Sequence, residues 1–196
     1  MTMQERDLLW EPLGDPGIEH LRVRFSPEGL LADGLVVRQL AGRTPLRLWY
    51  QIQCDEATRV RSTQVRIEAS VNQQVDLSAD GLGHWTDAAG AMMPGLDGCI
   101  DIDIAATPFT NTLPIRRLNP RPGESTEIDV VYITVPDLEV KRARQRYTNL
   151  RMDGPRTVYL YENCASGFRA ELPVDEDGLV IDYQGQWRRR TGGRQT

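Results

Sequence analysis

Helical periodicity is what this chain of 196 residues has least of. No stretch sustains the recurrence of apolar residues every three to four positions that an amphipathic helix needs. No window approaches the roughly eighteen uninterrupted apolar residues of a transmembrane helix, so a membrane span is not expected. Histidine is scarce: His20 and His84 are far apart and lack partners at metal-ligand spacing. The three cysteines, Cys54, Cys99 and Cys164, are odd in number and widely spaced. That spacing fits buried, reduced thiols better than a disulfide scaffold or a Cys/His zinc site. No Gly-x-Ser-x-Gly elbow, P-loop or dinucleotide fingerprint occurs, so no cofactor is expected and enzyme chemistry has no strong warrant. The start, MTMQERDLLWEPLGDPG, has early acids and a proline and no apolar core segment, so it does not read as a secretory signal. A cytoplasmic location is the expectation.

A basic face is also missing. The formal net charge is −5, which argues against a general nucleic-acid binder. Charged residues make up 26% and apolar residues 40%, enough for a core and too ordinary for disorder. The length suits one domain, expected over residues 1–187, with 188–196 as a flexible basic tail. Asn119-Pro120-Arg121-Pro122-Gly123 reads as a connection inside that domain.

What the chain has in quantity is alternation with a period of two. From Leu46 to Cys54, Leu46, Leu48, Tyr50, Ile52 and Cys54 share a face opposite Arg47, Trp49, Gln51 and Gln53. Val65, Ile67, Ala69 and Val71 alternate with Gln64, Arg66, Glu68 and Ser70. The pattern returns over Ile128–Val135, Thr157–Glu162, Phe168–Leu172 and Leu179–Tyr183. Turn signals separate the runs: Ser26-Pro27-Glu28-Gly29, Val71-Asn72-Gln73-Gln74, Ala79-Asp80-Gly81, Asp153-Gly154-Pro155, Ala165-Ser166-Gly167 and Asp175-Glu176-Asp177-Gly178. Roughly eleven to thirteen strands follow, too many for one flat sheet. The expected fold is all-β: a single large antiparallel sheet, strongly curved into a barrel or half-barrel. Trp49 beside Tyr50, and Tyr159 with Tyr161 opposite Val158 and Leu160, put large groups on both faces. That suits a partly enclosed inner surface, or a second packed layer.

The stretch from Pro94 to Leu118, PGLDGCIDIDIAATPFTNTLPIRRL, is the least ordinary. Asp101 and Asp103 lie two apart on one strand, so their side chains project to one side. They can bind a cation, act as acid and base, or pair with Arg116 or Arg117. Thr107, Thr110, Asn111 and Thr112 beside Pro108 and Pro114 read as a stiff loop whose polar groups can hold sugar hydroxyls or cap their own backbone. Lys141 to Tyr147 carries Arg142, Arg144 and Arg146 on one strand face. Glu127 and Asp129 on the preceding strand can pair with them across a hairpin.

The order of these motifs resembles a bacterial family of glycolipid-binding proteins. The likeness rests on Pro94-Gly95-Leu96-Asp97-Gly98-Cys99-Ile100-Asp101-Ile102-Asp103, then Thr107-Pro108, then Asn111-Thr112-Leu113-Pro114-Ile115-Arg116-Arg117. Trp10, Tyr50, Cys54-Asp55, Tyr147, Tyr161, Gly167-Phe168, Asp182-Tyr183 and Trp187 extend it over nearly the whole chain. The resemblance implies one barrel-like β domain, similar to carriers that shield lipid chains, with no established catalytic residues. The resulting expectation is a binding protein that holds a lipid or glycolipid in the concavity of its sheet. Asp101, Asp103, Asn111 and Arg116 would grip the polar head, with Tyr50, Tyr147 and Tyr161 lining the wall. Two alternatives stand beside it: a carboxylate-dependent hydrolase acting on a sugar or lipid ester, and a protein-interaction module with no small ligand. The sequence does not indicate an oligomeric state.

Overall fold

Alternating runs fold as strands wherever their turn chemistry lets the chain double back. The computed structural model describes residues 3–39, 44–68 and 73–190. In chain order they form β1 (Gln4–Pro12), β2 (Gly17–Ser26), β3 (Gly29–Arg38), β4 (Leu46–Cys54), β5 (Val60–Ile67), β6 (Gln73–Ala79), β7 (Trp85–Asp87) and β8 (Asp101–Ile104). One short helix, α1 (Thr112–Leu118), follows. The chain continues with β9 (Ser125–Ile133), β10 (Val140–Asp153), β11 (Arg156–Asn163), β12 (Arg169–Val174), β13 (Asp182–Tyr183) and β14 (Trp187–Arg190).

The all-β expectation holds, and the single sheet does not. The strands divide into a nine-stranded sheet, ordered β13-β14-β1-β2-β3-β4-β5-β6-β7, and a five-stranded sheet, ordered β12-β11-β10-β9-β8. The smaller sheet curves into a half-barrel and the larger is flatter. Fourteen strands occur among the described residues, above the expected range, because short edge strands such as β7 and β13 carry too few residues to show a period. One pairing is parallel: β8 runs alongside β9, with Asp101 opposite Val130 and Ile104 opposite Ile133. The long connection through α1 makes that parallel return possible.

Burial follows parity. β4 alternates as read, with Leu46, Leu48, Tyr50, Ile52 and Cys54 buried. Trp49 lies on the opposite face, half-exposed beneath the Arg66 guanidinium, which is 5.3 Å from the ring centroid. The basic run falls in β10 and is cross-paired: Arg144 to Asp129 at 3.1 Å, Arg142 to Asp129 at 3.1 Å, and Arg146 to Glu127. Exposed pairs of this kind are each worth less than about 1 kcal/mol.

The stiff polar lip expected over Thr107–Arg116 is instead buried and partly helical. Residues Ala106 to Ile115 are buried throughout. A 3₁₀ turn over Phe109–Asn111 leads into α1. Pro114 is tolerated because it stands in the first helical turn, where its missing N–H loses no intrahelical bond. Asn119 ends the helix with φ +40° and donates its N–H to the Ile115 carbonyl at 3.0 Å. Phe109 and Leu113 pack with Leu48, Tyr50 and Ile52 of the larger sheet, while Ile115 packs with Tyr159, Tyr161 and Leu172 of the smaller one. The chain's own segment therefore fills the space between the sheets.

Three smaller expectations change. Arg188–Arg190, read as the start of a loose tail, belong to β14, where Arg190 pairs with Leu9 of β1; residues 191–196 lie outside the described residues. Cys54 and Cys99 are buried, but Cys164 is exposed, in the turn after β11. Gln73 and Gln74 open β6 rather than closing a turn, while Ala69, Ser70, Val71 and Asn72 lie outside the described residues.

Candidate functional site

The seam between the two sheets opens into a pocket of about 240 Å³. Asp103 of β8 is at its floor. The walls come from Tyr132 of β9, Tyr161 of β11, Phe168 in the turn before β12, Tyr183 of β13 and Trp187 of β14. Ring centroids are 6.0 Å apart for Tyr161–Tyr183, 6.2 Å for Tyr161–Phe168 and 6.3 Å for Phe168–Tyr183. Phe168 remains 38% exposed, a large apolar ring left at the rim where an ordinary core would cover it.

Alternation along β8 sends Ile102 and Ile104 into the core and Asp101 and Asp103 to the other side, yet the two carboxylates meet different surroundings. Asp101 is fully buried and bound by Arg117 of α1, with Nε at 3.1 Å from both oxygens and Nη2 at 2.5 Å from Oδ2. Asp103 has no cationic partner among the described residues. It accepts from Gln145 Nε2 at 2.6 Å and from Thr110 Oγ1 at 3.1 Å. Burial pushes its carboxyl above the ordinary carboxylate range, and these two hydrogen bonds work against that rise. Behind it, the Tyr147 hydroxyl donates toward Gln145 Oε1 at 3.1 Å and Asn111 Oδ1 at 3.0 Å. A buried polar chain thus runs from Asn111 through Tyr147 and Gln145 to the pocket floor.

Of the residues singled out from sequence, the fold brings Asp103 and Tyr161 together on this pocket. Asn111 and Tyr147 stand behind it. Arg116 lies elsewhere, between two other clefts of about 530 and 520 Å³. It donates Nη1 to the Asp177 carbonyl at 2.6 Å, and its guanidinium is 4.5 Å from the Phe25 ring centroid. Those clefts are larger, but their one shared cation is already engaged.

Tyr50 belongs to a separate buried cluster that sequence reading missed. Its hydroxyl donates to Glu19 Oε1 at 2.6 Å, and Thr107 Oγ1 donates to the same oxygen at 2.6 Å. Glu19 is wholly buried, and its Oε2 has no partner among the described residues. The signal was there in parity, since Glu19 shares its face of β2 with Leu21, Val23 and Phe25. Burial raises the Glu19 carboxyl from its ordinary 4.5 to about 7, against the pull of the Thr107 and Tyr50 hydrogen bonds. The fold therefore favours the protonated form. That contribution is complete below about pH 4.5 and lost as pH rises through about 7, a difference of about 3 kcal/mol. Denaturant titrations of the wild type and Glu19→Gln should show the variant gaining on the wild type between pH 5 and 8. A pH-independent difference between the two would refute the assignment.

Gln145 was missed for a different reason. It sits among the arginines of β10, where charge draws attention to the outer face and away from Ala143, Gln145 and Tyr147. Among the described residues, no group of three or more His, Cys, Asp or Glu side chains is placed to hold a metal ion.

This architecture defines an all-β protein with a small, aromatic-walled pocket at a sheet seam. More specifically, the chain belongs to the family described as "Putative glycolipid-binding", which matches residues 7–189. It is also similar to a crystal structure of a DUF1089 family protein from Pseudomonas aeruginosa, with 39% identity and a TM-score of 0.77 over 88% of this chain and 92% of that one. No functionally curated protein matches.

Proposed function

We propose that the protein binds a glycolipid and holds its sugar headgroup in the seam pocket. The observation that carries this reading is the pairing of the Asp103 carboxylate with the Tyr161, Phe168 and Tyr183 rings in one pocket. Aromatic faces cover the apolar face of a sugar ring, and a carboxylate accepts from its hydroxyls. The family description supports a binding role. Phe109 and Leu113 occupy the interior, so the sugar lies at the seam and the lipid chain stays outside the core. Asp103 and Tyr161 are contacts in this reading. Asn111 and Tyr147 position them, while Tyr50, Asp101 and Arg116 serve the fold and the neighbouring clefts. A hydrolase of the two-carboxylate kind is less well supported, because the pocket lining carries one carboxylate and glycoside hydrolysis needs a flanking pair.

Octyl glucoside, kept below its micelle concentration, tests the reading against octanol. At a hundredfold excess over Kd the glucoside should stabilise the protein by about 2.7 kcal/mol in a thermal shift assay. Octanol should give no comparable shift, and Phe168→Ala should lose most of the response. Equal shifts with octanol and octyl glucoside would remove the sugar from the argument.

A further inference from the structure

The one charged side chain among the residues that line the seam pocket is the Asp103 carboxylate. Asp103 has Gln145 and Thr110 as partners but no cation among the described residues. Five aromatic residues, Tyr132, Tyr161, Phe168, Tyr183 and Trp187, line the pocket with it, and the face of an aromatic ring attracts cations. Its charge is felt by four phenols: Tyr147 and Tyr161, raised by burial first and Asp103 second, and Tyr132 and Tyr183, where burial again leads. Nearby cations are held by other acids. Lys141, across from Tyr132, is tied to Glu139 at 3.0 Å. Arg38 is bound by Asp15 at 3.1 Å and sits 5.5 Å from the Trp187 ring centroid, so one wall residue already has a cation over its ring.

A half-buried carboxylate beside five aromatic rings has a specific complement. From this geometry we infer that the pocket recognises an organic ammonium group, carried by an amino sugar or a choline-type headgroup. The inference rests on the proposed headgroup site and adds the charge that the site selects. A pocket of about 240 Å³ is below the usual range for a whole drug-sized ligand, so it takes one headgroup and not the tail. An ammonium satisfies Asp103 by a charge-assisted contact and lies against ring faces that a neutral sugar also covers but cannot polarise. A neutral hydroxyl in the same place gains only an ordinary hydrogen bond.

Two matched pairs of probes test this near neutral pH, by calorimetry or by the fluorescence of Trp187, which lines the pocket. The first pair is glucosamine and glucose. The second is choline and its uncharged isostere, in which carbon replaces nitrogen. At least one ammonium probe should bind about tenfold more tightly than its neutral twin, and the two pairs separate an amino sugar from a choline-type source. Asp103→Asn should erase the preference by weakening the ammonium probe far more than its neutral twin, and a normal melting curve shows the variant is folded. Phe168→Ala, at the exposed rim, should weaken both members of the preferred pair. Equal binding of charged and neutral probes would overturn the ammonium assignment and leave the headgroup site standing. A preference that survives Asp103→Asn would also overturn it. Failure of all four probes to bind would overturn both readings.

Discussion

Gly34→Ala costs the fold about 4 kcal/mol or more, a loss on the scale of the most damaging core substitutions. Gly34 pairs with Tyr50 across β3 and β4, and the Tyr50 ring folds back over it. A Cβ at Gly34 would lie 2.1 Å from Tyr50 Cζ and 2.5 Å from its hydroxyl oxygen. The ring cannot move aside easily. It is wholly buried, stacks at 6.3 Å on Phe109, and is fixed at the hydroxyl by Glu19. Phe109 belongs to the segment that fills the space between the sheets, so displacing Tyr50 also disturbs the contact of that segment with the larger sheet. Urea titrations should show the loss directly. In a Tyr50→Leu background the same alanine should cost much less, because its neighbour is gone. An unchanged cost there would mean that Tyr50 is not the source of the clash.

Arg117→Ala should cost about 3–5 kcal/mol, because it leaves the Asp101 carboxylate buried without its cation. Asp101 has no exposed surface, while the Arg117 side chain is 20% exposed, so only the arginine has partial access to water. Burial raises the Asp101 carboxyl, and Arg117 opposes that rise. Without Arg117 the carboxyl titrates higher still, so the destabilisation should be greater at pH 8 than at pH 5. The pair also ties α1 to β8, the strand that floors the pocket, so Asp103 should lose definition with it. The double variant Asp101→Asn/Arg117→Met should recover much of the stability, since no buried charge remains. If the single variant proves as stable as the wild type, the pair carries no structural weight.

The two predictions concern residues that the sequence exposes unequally. Tyr50 is plainly inward by parity, because Leu48 and Ile52 flank it on the same face. That Gly34 is the residue beneath its ring depends on strand register, which hairpin turns set and composition does not report. Asp101 and Asp103 look equivalent in Ile100-Asp101-Ile102-Asp103, with the same parity and the same neighbours. One ends up in an ion pair and the other on a pocket floor, because α1 reaches Asp101 and stops short of Asp103. Of the pocket walls, Phe168, Tyr183 and Trp187 stood out in the sequence only as scattered motif residues and Tyr132 did not, since the four span more than fifty positions of the chain and five inter-strand connections.

Local pattern was enough for the strands, most of their turns and the inward faces, because strand alternation and turn chemistry act over a few residues. It was also enough for the Arg142–Arg146 ladder, whose acidic partners lie one hairpin away. The division into two sheets, the parallel β8–β9 pair and the helical packing of Phe109–Leu118 came from long-range contacts. A stretch without charge, rich in threonine and proline, has no periodicity of its own, and it turns helical because two apolar sheet faces need a filling between them. The seam pocket arises the same way: it exists only where the edges of two separately formed sheets meet.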